Sequence, residues 1–226
     1  MKITYYGHSA FGLELNGKHI LLDPFISPNP KASAINIDEI PADYIILSHG
    51  HGDHVADVEA IAKRTGAKLI STFEVVGWFG QKGIENNHPM NHGGKNEFDF
   101  GTVKFTNAVH SSSMPDGSYG GHPAGMIFES EGKTFYYSGD TALFGDMKLI
   151  GEYHDLDFAF LCMGDNFTMG VEDAVIAADF IQCKDIIGMH FDTFGYIEID
   201  HAAASKAFAD AGKELTLMEI GASISR

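Results

Sequence analysis

The sequence predicts an α/β protein built on two large β-sheets covered by helices. Three observations point there. Short apolar runs bounded by turn residues dominate the first two-thirds of the chain. Helical and strand patterns alternate in the remainder. The 26 glycines among 226 residues supply tight turns between short elements.

Taken in order, Lys2–Tyr6 reads as a strand that ends at Gly7-His8-Ser9. Phe11–Leu15 and His19–Leu22 flank Asn16-Gly17, a hairpin turn dipeptide, and Asp23-Pro24 ends the second arm. Ile26–Pro41 reads as a proline-bearing loop, and Tyr44–Leu47 as a short strand that runs into Ser48-His49. Val55, Val58, Ile61 and Ala62 have helical spacing, which predicts a helix over Val55–Arg64 that stops near Gly66. Lys68–Ser71 is a strand, Phe73–Phe79 a helix, and the polar Gln81–Asn96 irregular. Glu97–Val109 reads as two strands that turn near Gly101, followed by a loop over Ser111–Pro123. Ala124–Glu129 and Lys133–Ser138 form a second hairpin around Glu131-Gly132. Strand, helix and strand then follow at Asp157–Cys162, Val171–Ile181 and Asp185–Met189. A helix over Ala202–Ala211 and a last strand over Glu214–Met218 complete the series. No linker or short repeat interrupts it, so one domain spanning residues 1–226 is expected.

The net charge of −16 comes from 31 acidic and 15 basic residues, with no Lys/Arg-rich run. Such a surface repels phosphate backbones, which argues against a nucleic-acid partner and against a nuclease. Two isolated cysteines, Cys162 and Cys183, indicate no disulfide framework. Residues 1–22 lack a basic start and an uninterrupted apolar stretch, and no run approaches the ~20 apolar residues that span a bilayer. A cytoplasmic protein with no membrane partner is expected. A homo-oligomer is neither indicated nor excluded.

The chemistry concentrates in Ser48-His49-Gly50-His51-Gly52-Asp53-His54. Four groups able to bind a divalent cation fall within six residues, directly after a strand and before a helix. Gly50 and Gly52 are expected to let the backbone bend so that these side chains converge. Three further candidates sit just past strand ends: His110, Asp140 in Ser138-Gly139-Asp140-Thr141, and His190. Each is weak alone, because a histidine after a strand is more often a hydrogen-bonded surface residue. If the strands share an edge, all of these groups meet there.

In this order the residues resemble the metallo-β-lactamase superfamily, whose His-x-His-x-Asp-His motif is followed by a His, a bridging Asp and a final His. The resemblance runs from Lys2 to about Met218 and implies a four-layer αββα sandwich with metals at one edge. It implies that His49, His51 and His110 hold one ion, Asp53, His54 and His190 a second, and that Asp140 bridges them. The implied cofactors are two divalent metal ions, zinc before manganese, nickel or iron. Asp23 matches an early aspartate that supports the motif loop rather than binding metal. Gly7-His8-Ser9 and Gly164-Asp165-Asn166-Phe167-Thr168-Met169-Gly170 resemble a branch of metal-dependent hydrolases related to ascorbate-6-phosphate lactonase.

The expected reaction is hydrolysis of a small anionic ester, lactone or phosphoester by a hydroxide held between the two ions, with Asp53 and Asp140 as the catalytic carboxylates. His8 is a candidate for the substrate pocket, or else caps a strand end. His122 is either a proton donor to the leaving group or a loop histidine. Asp165 and Thr168 either shape substrate access or hold a turn. Among rival readings, a thioesterase like glyoxalase II would need a helical extension after the last ligand, where only Ala202–Ala211 and one strand are expected. Flavodiiron proteins carry Glu where His51 stands and add a flavodoxin domain. A non-catalytic metal-binding protein fits poorly with a full ligand set.

Overall fold

The computed structural model describes residues 1–226. Its first half runs β1 (Lys2–Gly7), β2 (Ala10–Leu15), β3 (Lys18–Leu22), β4 (Tyr44–Ile46), α1 (Gly52–Val55), α2 (Val58–Thr65), β5 (Lys68–Thr72), α3 (Phe73–Gly80) and β6 (Asn87–Met90). The second half runs β7 (Lys95–Phe98), β8 (Gly101–Asn107), β9 (Ala124–Ser130), β10 (Lys133–Tyr137), α4 (Met147–Tyr153), β11 (Phe158–Cys162), α5 (Val171–Phe180), β12 (Asp185–Met189), α6 (His201–Asp210), β13 (Glu214–Thr216) and β14 (Ser223–Ser225).

The strands form two mixed seven-stranded sheets, ordered β14-β1-β2-β3-β4-β5-β6 and β13-β12-β11-β10-β9-β8-β7. Helices cover their outer faces, giving the expected four-layer αββα sandwich. The stripe Val58, Ile61 and Ala62 on α2 packs in a 17-residue apolar cluster outside the first sheet. Ala174, Ala177 and Ala178 of α5 join the 40-residue cluster that fills the space between the sheets and beyond. Asp200 caps α6 by accepting from the N–H groups of Ala202 and Ala203 at 2.9 and 3.0 Å.

Phe160 links the two sheets. Its ring lies 4.7 Å from that of Phe11 in the first sheet and 5.7 Å from that of Phe158 in its own strand. It is fully buried. Strand direction then decides where the site forms. β10, β11 and β12 are mutually parallel, and β8 and β10 both pair antiparallel with β9. The C-terminal ends of β8, β10 and β12 therefore share one edge, which is where His110, Asp140 and His190 follow.

Several elements depart from expectation. The helix expected over Val55–Arg64 is two pieces, α1 and α2, separated at Ala56-Asp57. There the Asp57 carboxylate leaves helical duty to accept from the N–H groups of Ile26 and Ser27 at 2.6 and 2.9 Å. The polar stretch expected to be irregular contains β6, which pairs parallel with β5 at the sheet edge. An edge tolerates Pro89, because one strand face has no ladder partner to satisfy. Helix α4 and strand β14 have no counterpart in the sequence reading. Replacing Phe160 with Ala is expected to destabilise the fold by about 3–5 kcal/mol, read as a lower denaturant midpoint at unchanged m-value.

Candidate metal centre

The ligand-type side chains meet at that shared edge. His49 and its neighbours follow β4, and the loop is tied to the second sheet by Ala124 N–H donating to Ser48 O at 3.0 Å. The segments carrying His110 and Asp140 are joined by Val109 N–H donating to Thr141 Oγ1 at 2.9 Å and Ala142 N–H donating to Val109 O at 3.0 Å. His190 N–H donates to His8 O at 2.8 Å, which brings the end of β12 against the end of β1.

Asp140 is the hub. Its Oδ2 lies 2.9 Å from His190 Nε2, 3.2 Å from His54 Nε2, 3.7 Å from His110 Nε2 and 4.0 Å from His49 Nε2. Three sets of side chains place their ligand atoms within 4.8 Å of one another: His49, His51 and His110; His8, Asp53, His54 and His190; and His49, His54 and Asp140. All seven residues expected as ligands belong to these sets, and His8 joins them.

The hydrogen bonds around the rings assign their tautomers. Asp23 accepts from Ser48 N–H at 2.8 Å, from Ser48 Oγ at 2.6 Å and from Tyr137 OH at 2.7 Å. It also faces His54 Nδ1 at 2.9 Å, so Nδ1–H donates to it. Ser48 Oγ donates to Asp23 and so accepts from His49 Nδ1–H at 2.9 Å. With Nδ1–H so engaged, His54 turns Nε2 toward Asp140, and His49 turns Nε2 toward His51 Nδ1 at 3.0 Å with Asp140 at 4.0 Å. His54 Nε2 and Asp140 Oδ1 are buried without a hydrogen-bond partner. A lone pair opposite a carboxylate is repulsive unless a proton or a cation lies between them, so this donor set fits a divalent metal.

The charges agree. Burial, with His54 second, pushes His49 well below its usual pKa, and burial also lowers His51 and His110. Neutral imidazole is the form that binds metal. His54 goes the other way: burial opposes its charge, but Asp140 and Asp23 together outweigh burial and raise it, so in the absence of a cation a proton on Nε2 takes the place between His54 and Asp140. Burial works against ionised Asp140 too, yet His190 and His54 hold its carboxyl well below the usual range. A buried anionic oxygen thus faces several imidazoles with no lysine or arginine among its partners.

His8 braces Asp53. Its Nε2 lies 3.2 Å from Asp53 Oδ2 and its Nδ1 3.0 Å from Thr193 Oγ1. Burial and then His190 lower His8 to about 4, so it is neutral at pH 7, donating from Nε2–H to the carboxylate and accepting from Thr193.

A cavity of about 630 Å³ opens over the cluster, with His51, Asp53, His110, Asp140 and His190 on its floor and Ser111, Phe167, Phe194 and Tyr196 on its walls. Of the residues expected at the substrate pocket, none of the four lines it. His8 stands behind Asp53. His122 is exposed, near His92 and Tyr119. Asp165 N–H donates to Met169 O at 3.0 Å, so Asp165 holds the turn that carries Phe167, and Thr168 lies inside that turn. The walls were missed because aromatic residues in loops carry no spacing signal. Tyr137 and Thr193 were missed because their partners, Asp23 and His8, lie more than a hundred residues away in sequence. The glycines also differ from expectation. Neither Gly50 nor Gly52 has a positive φ. Gly50 is needed for space, since a Cβ there would meet Met114 Sδ at 2.5 Å, whereas one at Gly52 would meet nothing within 4 Å.

Comparison with known proteins agrees with this geometry. The family model described as the beta-lactamase superfamily domain matches residues 18–191. The chain belongs to the metallo-β-lactamase superfamily, and its relatives make it a metal-dependent hydrolase of that class. Within it, the chain is 58% identical over 224 residues to a UPF0173 metal-dependent hydrolase of Flavobacterium johnsoniae, covering 99% of each. The solved structure of Igni18, a metallo hydrolase from the archaeon Ignicoccus hospitalis, superposes with a TM-score of 0.89 at 34% identity, covering 99% of this chain and 97% of that one. An isothiocyanate hydrolase from Delia radicum gut bacteria shares the fold, with a TM-score of 0.79 at 19% identity over 100% and 99% of the two chains.

Removing the brace with His8→Ala is expected to weaken metal affinity by about 10–100-fold, measured by competition with a chromogenic chelator. Gly50→Ala should cost about 1–3 kcal/mol of stability, whereas Gly52→Ala, at the first turn of α1, should be neutral or gain up to about 1 kcal/mol. Denaturant unfolding of the pair distinguishes space from flexibility as the reason for glycine.

Proposed function

We propose that the chain, acting as one domain over residues 1–226, is a dinuclear hydrolase of small anionic esters, lactones or phosphoesters. His49, His51 and His110 would hold one divalent ion. Asp53, His54 and His190 would hold the other, with Asp140 shared. The observation that carries this reading is the buried Asp140 carboxylate within 4.0 Å of four imidazole nitrogens. Two close-lying groups, His49, His51 and His110, and Asp53, His54 and His190 with His8, support the division, and the third, His49, His54 and Asp140, supports a shared carboxylate. Zinc suits these nitrogen and oxygen donors best among the candidates, with manganese, nickel and iron also accepted by such sites. The lactone part of the reading follows the resemblance to ascorbate-6-phosphate lactonase.

When bound, the ions supply Lewis acidity at the scissile group and bring the pKa of water toward about 7. The protein's own residues do the rest. Asp53, half-buried at the cavity floor and held at Oδ2 by His8, orients the attacking water by accepting its proton-bearing side. Ser48 and Asp23 keep the Nδ1 protons of His49 and His54 in place, so that their Nε2 lone pairs stay available. The aromatic walls restrict water around the reacting group. No lysine or arginine lines the cavity, so bound ions would be the source of positive charge beside Asp53 and Asp140. A substrate oxygen that is anionic, or becomes so in the transition state, is drawn to that point.

The test is metal analysis joined to a panel of esters, thioesters, lactones and phosphodiesters. Wild type should carry two ions per chain and hydrolyse at least one class. Asp140→Ala should lose metal and lower kcat/KM by at least about a hundredfold, more than loss of an outer hydrogen-bond partner costs. Equal hydrolysis by both proteins would remove Asp140 from the reaction. Full metal content with no hydrolysis of any class would leave a metal-binding protein instead.

A further inference from the structure

We infer that Phe167 and Tyr196 form a subsite for an apolar, ring-sized arm of the substrate, attached next to the scissile group. This deepens the reading above and rests on it. Both side chains line the same cavity as the metal cluster. Their rings meet edge to face, centroids 6.2 Å apart at 76°, and make one continuous wall. Yet Phe167 is 52% and Tyr196 77% exposed. Exposed aromatics scattered over a surface need no explanation. Two that touch each other over a catalytic cavity do, because that contiguous apolar surface is left in water beside the reacting centre.

A tight turn presents Phe167 there. Asp165 and Asn166 are consecutive residues with φ of 62° and 55°. Asp and Asn take left-handed geometry more readily than other non-glycine residues, because their short side chains bond the local backbone. Here Asp165 Oδ1 accepts from Asn166 N–H at 2.7 Å, and Met169, buried beneath the turn, donates its N–H to Thr141 O at 2.9 Å. The turn does not bury Phe167, whose side chain is half exposed. Phe167 is instead held in register with Thr141, the neighbour of Asp140.

Tyr196 is held from the other side. It sits on a single turn, Gly195–Ile197, whose Ile197 is fully buried and whose carbonyl accepts from Asp192 N–H at 2.8 Å. Asp192 is two residues from His190. Phe194, behind, places its ring 5.5 Å from that of His8. The two halves of the wall are thus fastened to segments that carry the cluster. Both rings therefore stand beside the point where a scissile group would meet the cluster. With no cation on the walls, a flat apolar group gains most by leaving water here, stacking or meeting the rings edge-on.

The experiment compares phenylacetate with acetate for binding to the metal-loaded protein by calorimetry, and benzyl acetate with ethyl acetate as substrates. It uses wild type, Phe167→Ala, Tyr196→Ala and the double variant. Because both side chains are exposed, circular dichroism should show the variants folded. Wild type should bind phenylacetate at least about tenfold tighter than acetate, each single variant should cut that preference at least about threefold, and the double variant should nearly erase it. The benzyl-to-ethyl ratio of kcat/KM should follow. Loss of preference in the double variant without turnover of either ester supports the subsite and counts against the ester reading. Turnover of both esters with no phenyl preference in wild type, or a preference that survives the double variant, overturns the subsite and leaves the hydrolase reading standing.

Discussion

The carboxylate of Asp23 is the point on which the site's architecture depends. It is wholly buried and collects hydrogen bonds from both sheets: Ser48 from the loop after β4, Tyr137 from the end of β10, and His54 from α1. A buried anion is tolerated only when so many donors meet it. The arrangement closes the sandwich at the edge where it would otherwise splay, and in the same act fixes the direction of two histidine rings. Fold closure and ring orientation are one set of bonds, so neither can vary independently of the other.

Above that clamp the chain gathers polar groups at one rim while its interior stays almost wholly apolar. The order of strands makes this possible. Strands that run the same way end on the same side, and each of the three that matter is followed within a few residues by one donor side chain. The sheets supply rigidity through pairs such as Phe11 with Phe160. The loops beyond their ends supply chemistry. The division keeps burial costs away from groups that must remain partly open to a substrate.

Much of this was legible before any coordinates. Strands with strong apolar runs, such as β4, β9 and β11, and the turns at Asn16-Gly17 and Glu131-Gly132 stand out because local chemistry dictates them. The His/Asp cluster was legible because His49, His51, Asp53 and His54 crowd one short motif after β4, and His110, Asp140 and His190 each follow a strand in the order the family resemblance expects. What escaped depended on distant partners. β6 is a strand only because β5 lies beside it, and β14 only because β1 does. The break between α1 and α2 follows from bonds between Asp57 and residues thirty positions earlier. His122 was open between a proton donor and a loop histidine, and its exposure in the loop before β9 matches the second.

Left-handed residues are not spread evenly over the molecule. Nine non-glycine positions have positive φ, and six of them, His8, Asp23, Asp165, Asn166, His190 and Asp192, border the catalytic rim. Asp, Asn and His are the non-glycine residues that take this conformation most readily, so the chain turns sharply at the rim with the same residue types that supply its polar groups. Glycine would fit these backbone angles, but at Asp23 it would leave Ser48, Tyr137 and His54 without their acceptor. The turns and the chemistry of the rim are therefore vested in the same side chains.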